Sequence, residues 1–254
     1  MKVHSSKPSP SLQAVVRRFL IVESSEARDD WHLPELGLTA AFRLSGECLL
    51  AGRRLSSRAI LSGLTDHVRQ HHHSHDNTML IVHFTPLGAS AITREALDAL
   101  WNNNTDLGDV LGGSSQISEI LERLVCAANH AQRIQILERF LTARLAAHEP
   151  DPLVQAAIDW IEHASPAARV SDLVRHIGLS QSALDRRFRR QVGAAPKRFL
   201  SLLRLNRAAQ LIRSGKSLTT AAHTAGYYDQ AHFNHEFSRA TGVAPTDYFS
   251  REKC

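Results

Sequence analysis

A pattern of six residues occurs twice near the end of this chain, and the two copies lie 49 positions apart. Each residue of the first copy has a counterpart of matching type and spacing in the second. The copies are Ser180, Leu184, Phe188, Gly193, Pro196 and Phe199, followed by Asp229, Phe233, Phe237, Gly242, Pro245 and Tyr248. Neither copy is long enough to bury a core of its own, so the repeat predicts one supersecondary unit used twice in a compact domain.

Each copy has the signals of a helix-turn-helix. In the first copy Ser171 is predicted to cap one helix, Gly178 to end it, and Ser180 to cap the next. In the second copy Ser217 is predicted to cap the first helix, Gly226 to end it, and Asp229 to cap the second helix. An ordinary helical hairpin is the alternative that the helix signals alone leave open.

Charge separates the two interpretations. The stretch from Arg169 to Arg213 holds eleven Lys and Arg residues against two acidic residues, whereas the 150 residues before the repeat region are balanced, with 15 basic and 16 acidic side chains. A helical face that is merely exposed to solvent would carry basic and acidic side chains together. A helix-turn-helix can place its second helix in the major groove, and basic side chains gain affinity for DNA by releasing counterions. The pattern therefore favours DNA binding.

The segment from about 152 to 249 resembles the DNA-binding domain of the AraC/XylS family of bacterial transcription regulators, over about two fifths of the chain. The residues that carry this resemblance are Leu173, Gly178, Ser180, Leu184, Arg186, Phe188, Gly193, Pro196, Arg204, Ala208, Leu211, Gly226, Tyr227, Gln230, Phe233, Phe237, Gly242, Pro245 and Tyr248. It implies an all-α domain over 152–251, with two homeodomain-like helix-turn-helix motifs at about 170–191 and 218–240. A long helix, expected over 197–214, would join the motifs.

The resemblance also implies which side chains face DNA from the two second helices. They are Gln181, Ser182, Asp185 and Arg186 in the first helix, and Gln230, Ala231, His232, Asn234 and His235 in the second. Arg186 could bind a guanine edge in a bidentate manner; a salt bridge to a neighbouring acid is the alternative for it. Arg190 and Lys197 are expected to contact phosphates. His235 stands where the resemblance would place Arg, so the second motif is expected to bind more weakly than the first.

The residues before the repeat, 1–149, are predicted to form a separate regulatory domain of α+β class. Short apolar runs up to about residue 85 indicate strands, which would form a small β-barrel or sandwich able to enclose a small ligand. After Pro86 the pattern becomes helical and ends in two amphipathic helices, at Ile117–Leu124 and Ile134–Leu145. We expect these helices to pack on the strands; a contact with a second subunit is the alternative. Nothing in the sequence identifies a ligand.

A run of histidines invites a metal interpretation, with His71, His73 and His75 as the candidate ligands. Against it, in a strand or extended loop His71 and His73 would share one face while His72 points away, and no Cys or carboxylate falls at a familiar ligand spacing. The run also lies between two apolar strands like a polar hairpin loop. We therefore expect no metal and no other cofactor.

Three widely spread cysteines without a CxxC pair fit a reducing cytoplasm, and the sequence has neither a secretory signal nor a membrane-spanning apolar stretch. The common catalytic motifs are absent. We expect a cytoplasmic, non-enzymatic transcription regulator, an activator by the habit of the family. Its partners would be promoter DNA and RNA polymerase; a small-molecule effector and a homodimer stay open. The alternatives are a small-molecule-binding barrel or enzyme with a basic tail, and a structural DNA-binding protein without an effector.

Overall fold

The computed structural model describes residues 1–50, 52–55, 57–93, 95–145 and 150–251. Its strands are β1 (Lys2–Ser6), β2 (Val16–Ser24), β3 (Arg28–His32), β4 (Thr39–Ser45), β5 (Cys48–Leu50), β6 (Arg53–Arg54), β7 (Ala59–Ser62), β8 (Arg69–His73), β9 (Asn77–Phe84) and β10 (Asn104–Asp106). Its α-helices are α1 (Leu107–Leu111), α2 (Ser114–Cys126), α3 (His130–Leu145), α4 (Pro152–His163), α5 (Val170–Ile177), α6 (Gln181–Val192), α7 (Pro196–Arg213), α8 (Leu218–Ala225), α9 (Gln230–Thr241) and α10 (Pro245–Arg251).

The strands form two antiparallel sheets. One has six strands in the order β1-β2-β9-β4-β7-β10, and the other has four in the order β3-β8-β5-β6. Both sheets are open among the described residues, since β1 and β10 end the first sheet without pairing to each other. Of the two predicted arrangements, the closed barrel is therefore not adopted. The α+β class of this part and the all-α class of the C-terminal part are as predicted.

The core of the six-stranded sheet follows from the alternation of its central strands. In β2 the side chains of Phe19 and Ile21 are buried, and β9 buries Leu80 and Val82, because alternate residues of a strand share one face. The apolar stripes of α2 and α3 belong to the same cluster of buried residues. The two amphipathic helices thus pack on the sheet, as predicted.

The segment after Pro86 departs from the prediction. Between residues 86 and 106 the described chain forms only tight turns, a short 3₁₀ helix at Leu97–Leu100 and strand β10. At Gly88 an added Cβ would lie 1.8 Å from the carbonyl oxygen of Val15. The chain is pressed against the start of β2 here, and this close tertiary contact replaces the α-helix that the apolar spacing indicated.

The C-terminal helices begin and end close to their predicted positions. The carboxylate of Asp151 accepts a hydrogen bond from the Leu153 amide at the start of α4. The joining helix α7 has 18 residues, so it is about 27 Å long. The predicted cap at Ser171 is wrong, because α5 begins at Val170. Its N-cap is Arg169, whose backbone amide donates to the carboxylate of Asp172 at 3.0 Å.

The C-terminal helices are packed against the sheets. The Val68 amide donates to the Ala240 carbonyl at 2.6 Å, and the Asn206 side-chain amide donates to the Pro34 carbonyl at 2.8 Å. The hydroxyl of Tyr248 donates to the backbone carbonyl of a β3 residue at 3.3 Å. Helices α4 to α7 also share one cluster of buried apolar residues with the N-terminal sheet. The division into separate domains at 1–149 and 152–251 stays a prediction.

Among the described residues, no helix combines the length and the apolar character needed to span a membrane.

Candidate nucleic-acid interface

Helix α6 is the second helix of the first motif, and its inner face is apolar. Leu184 and Phe188 lie four residues apart and are fully buried, because this spacing puts both on one face. The hydroxyl of Ser180 caps the helix by accepting from the Ala183 amide at 3.3 Å. Gly193 ends it with a φ of +85°, in the left-handed region that glycine adopts without strain. The outer face of α6 is thereby turned to solvent.

The predicted DNA-facing residues of the first motif lie on this outer face. Gln181, Ser182 and Arg186 are exposed, and Asp185 is half-buried. Within the described part of the chain Arg186 makes no ion pair, so the alternative of a salt bridge on the helix surface is not adopted. The neighbouring Arg187, in contrast, binds Asp151 at 2.5 Å.

Helix α9, in the second motif, has the same design. The carboxylate of Asp229 accepts from the His232 amide at 2.7 Å, and Phe233 and Phe237 are fully buried on the inner face. The correspondence between the two copies of the repeat therefore extends from sequence to caps and core.

The outer face of α9 is less free than that of α6. His232 and His235 are exposed, but Gln230 is half-buried and its side-chain oxygen accepts from the Thr219 hydroxyl at 2.6 Å. Asn234 is also half-buried, and its side-chain oxygen has no hydrogen-bond partner among the residues described. Of the four polar residues predicted here, His232 and His235 are therefore the exposed ones, and the His232 ring packs edge-to-face on the Tyr227 ring with centroids 5.4 Å apart.

Tyr228 is a surface residue outside the set predicted to face DNA. Its side chain is 87% exposed, and it lies in the turn between α8 and α9. The second motif has one more turn residue than the first, counted from the helix-ending glycine to the next cap. This extra residue in the turn is the sequence feature that could have indicated an exposed side chain between α8 and α9.

Unpaired positive charge is concentrated on α6 and on the start of α7. Several basic residues of the stretch are engaged within the protein: Arg175 with Asp172, Arg187 with Asp151, Arg198 over the Trp101 ring, and Arg207 with the Glu162 carbonyl. Five others are exposed and form no ion pair within the described ranges: Arg169, Arg186, Arg189, Arg190 and Lys197. Four of these five lie on α6 and in the first turn of α7, so most of the free positive charge is presented there.

The histidine run is placed differently from the prediction. His71 and His73 lie in strand β8, not in a loop, and His75 lies exposed in the following turn. The polar segment RQHHH lacks the apolar alternation that marks a strand, so the sequence pattern left a strand and a loop both open here. The structure also places Cys48 of β5 beside this strand, a neighbour that its distance in sequence concealed.

Comparisons with known proteins agree with this geometry. The family model described as a helix-turn-helix domain matches residues 173–251. An AraC-like transcription regulator of Streptomyces lividans is 35% identical over 101 residues, which are 39% of this chain and 33% of that protein. The HTH-type transcriptional activator RhaS of Pectobacterium carotovorum subsp. carotovorum (strain PC1) is 34% identical over 106 residues, covering 39% of this chain and 38% of RhaS. The C-terminal region thus matches a helix-turn-helix domain and is similar to the corresponding region of AraC-like regulators. The chain spans about a third of the length of these relatives.

Solved structures of one protein resemble almost the whole chain. Wild-type ToxT from Vibrio cholerae strain SCE256, in a crystal structure with bound unsaturated fatty acid, has a TM-score of 0.51. The match covers 91% of this chain and 94% of ToxT at 11% sequence identity. At this identity the likeness concerns the fold alone, a β-rich N-terminal part followed by a helical C-terminal part.

Proposed function

We propose that this protein is a sequence-specific, DNA-binding transcription regulator that inserts α6 and α9 into successive major grooves of one duplex. The observation that carries the proposal is the match between two capped helices, each burying an aromatic inner face and exposing polar residues in its first turns. A helix-turn-helix binds DNA with this part of its second helix. The joining helix, about 27 Å long, can hold the two reading helices about one DNA turn apart.

The first motif would supply most of the base recognition. Arg186 has an exposed guanidinium without an ion pair among the described residues, so it can form two parallel hydrogen bonds to the O6 and N7 atoms of guanine. Gln181 can pair with adenine, and Asp185 can accept from the amino group of cytosine. Arg189, Arg190 and Lys197 would bind phosphates, which fixes the register of the protein without selecting a sequence.

The second motif would contribute less. Gln230 must give up its bond to Thr219 before it can bind a base edge, and His235 offers a weaker donor than an Arg would. His232 and His235 are therefore assigned mainly to the backbone of the DNA. This division follows from the side chains available on α9.

Activation is the proposed output, since RhaS proteins among the relatives are named as activators. RNA polymerase would then be a partner. For the N-terminal part we propose a modulating role with a small-molecule effector, on the precedent that ToxT, a protein of the same fold, binds an unsaturated fatty acid. The chemical class of this chain's effector is left open.

Selection of bound fragments from random DNA by the full-length protein tests the proposal. Two short conserved blocks about 10 base pairs apart are expected, within a footprint of about 15 to 20 base pairs per chain. Arg123→Ala, which removes an exposed arginine on α2, should select the same motif. Binding without any enriched sequence would instead favour the alternative of a basic tail that attaches to nucleic acid non-specifically.

A further inference from the structure

Three side chains with metal-binding atoms converge on one face of the four-stranded sheet. Cys48 of β5 lies directly opposite His73 of β8 in the strand register, and His71 lies two residues away on the same strand. Because alternate residues of a strand share a face, His71 and His73 point to the same side, and His72 points to the other. The β-pairing therefore brings together a thiol and two imidazoles from segments 23 residues apart.

The distances suit a small metal ion. The sulfur of Cys48 and a ring nitrogen from each histidine all lie within 4.8 Å of one another. The Sγ of Cys48 is 3.8 Å from Nδ1 of His71. In a tetrahedral zinc site, bonds of about 2.3 Å to sulfur and about 2.0–2.1 Å to nitrogen place these ligand atoms about 3.6 Å apart. Only a small adjustment of side chains is needed.

A neighbouring amide orients one of the ligands. The side-chain NH₂ of Asn77 donates to the backbone carbonyls of Ser45 and Glu47, at 3.4 and 2.9 Å. Its oxygen therefore faces Nδ1 of His73, at 3.2 Å, so this nitrogen carries the hydrogen and Nε2 keeps its lone pair. Metal-binding histidines are typically held in this way by a second partner on the other ring nitrogen.

Burial keeps the two imidazoles neutral, as metal ligands must be, but disfavours ionisation of the thiol. Cys48 is 1% exposed and His73 is 6% exposed. Burial lowers the pKa of His71 to about 3 and also lowers the pKa of His73, so both imidazoles are neutral at physiological pH. Burial raises the pKa of the Cys48 thiol to about 11. A metal ion would displace the thiol proton, which passes to solvent, while the sulfur forms the new bond and no redox change occurs.

We propose that Cys48, His71 and His73 form a zinc site with a fourth coordination position open to water or to an exogenous ligand. Thiolate and imidazole together are the donors that zinc prefers, and three protein ligands with one open position is a common arrangement for zinc that binds a further molecule. The carboxylate of Asp30 lies 3.8 Å from Nε2 of His73, beside the site, and is itself paired with Arg28. This site does not depend on the proposed DNA-binding function.

The test uses the full-length chain without an affinity tag, in a Cys126→Ser/Cys254→Ser background that leaves Cys48 as its one thiol. Cobalt(II) is titrated as a spectroscopic probe, and zinc affinity is measured in competition with a chelator. One equivalent of cobalt is expected to bind with a thiolate charge-transfer band, and zinc should displace it. If the folded protein shows no such band, that result alone overturns the proposal.

Matched variants then assign the ligands. His71→Gln should weaken zinc binding by at least about 100-fold, since loss of a direct ligand should exceed the typical effect of losing an outer partner. His72→Gln, on the opposite face of the same strand and paired with Asp29, and His75→Gln, in the exposed turn, should leave the affinity unchanged. Equal losses in the His71 and His72 variants would contradict the site.

Discussion

Arg186 differs from its neighbour Arg187 in one respect that decides its expected role. Arg187 is held by Asp151, whereas the Arg186 guanidinium is exposed and, among the described residues, unpaired. Arg186→Ala should cost about 1–3 kcal/mol of binding free energy on the preferred site and relax the choice of base at a single position. Competition binding with single-base variants of the selected site measures this. A loss of the same size on every sequence would show that Arg186 binds phosphate instead.

Arg190 and Lys197 are predicted to act on all sequences alike. Alanine at either position should weaken binding uniformly and reduce the slope of log affinity against log salt by about one. Fluorescence anisotropy across a salt series provides the slope. Arg123→Ala should leave it unchanged, and an unchanged slope in the Arg190 and Lys197 variants would remove these residues from the interface.

His83 gives the fold a predicted sensitivity to acid. Burial lowers the pKa of this imidazole to about 3, and Arg18 lowers it further. The Glu35 carboxylate lies 3.4 Å from Nδ1 of His83 but is itself paired with Arg18. In the unfolded chain the pKa is about 6.5. As the pH falls from about 6.5 toward 3, only the unfolded chain gains this proton, so the free energy of unfolding falls by up to about 1.4 kcal/mol per pH unit.

His83→Gln should remove this part of the pH dependence. Urea unfolding at about pH 7.5 and about pH 5 compares the variant with the wild type. The wild type should lose more stability between the two conditions than the variant does. An identical loss in both proteins would mean that His83 is protonated, or free to become so, in the folded state.

At the scale of elements, two glycines end equivalent helices under different constraints. Gly178 has a φ of +73° with no atom within 4 Å of an added Cβ, whereas Gly226 has a φ of +89° and an added Cβ would lie 2.3 Å from the Pro166 carbonyl oxygen. Gly178→Ala should cost about 1–2 kcal/mol from backbone strain alone. Gly226→Ala should cost clearly more, and chemical denaturation measures both. Equal losses of unfolding free energy in the two variants would mean that the backbone around Pro166 moves aside without an energetic cost.

The helices were predicted better than the strands, for a local reason. Caps at Ser180 and Asp229 and glycines at Gly178 and Gly226 mark helix ends within a few residues, and all four are confirmed. At Ser171 the prediction failed because Asp172 binds the amide of Arg169 and shifts the start of α5.

Long-range pairing explains what the sequence did not reveal. Strands β3 and β8 carry polar residues on both faces, so their alternation is hidden, and they are recognisable only once they pair with each other. The same pairing produces the cluster of Cys48, His71 and His73. The spacing of residues along the sequence cannot reveal neighbours that are brought together only by the register of paired strands.

At the scale of the whole molecule, Asn206 connects the joining helix to the N-terminal part through the Pro34 carbonyl. Asn206→Ala should weaken this contact by about 1 kcal/mol, and hydrogen exchange at the Val68 amide, which is bonded to Ala240, should become about fivefold faster. Gln210→Ala, at an exposed position of the same helix, is the control. Unchanged exchange in the Asn206 variant would show that the two contacts open independently.

The bond between Val68 and Ala240 has a consequence for the geometry of any operator. It ties Ala240 of α9 to the residue just before β8, so a contact with the N-terminal part, and not α7 alone, holds α9 in its position relative to α6. One base pair inserted between half-sites would rotate the distal one by about 34° around the duplex. If α6 and α9 bind one duplex as proposed, either the DNA must twist to compensate or the hydrogen bond between Val68 and Ala240 must break.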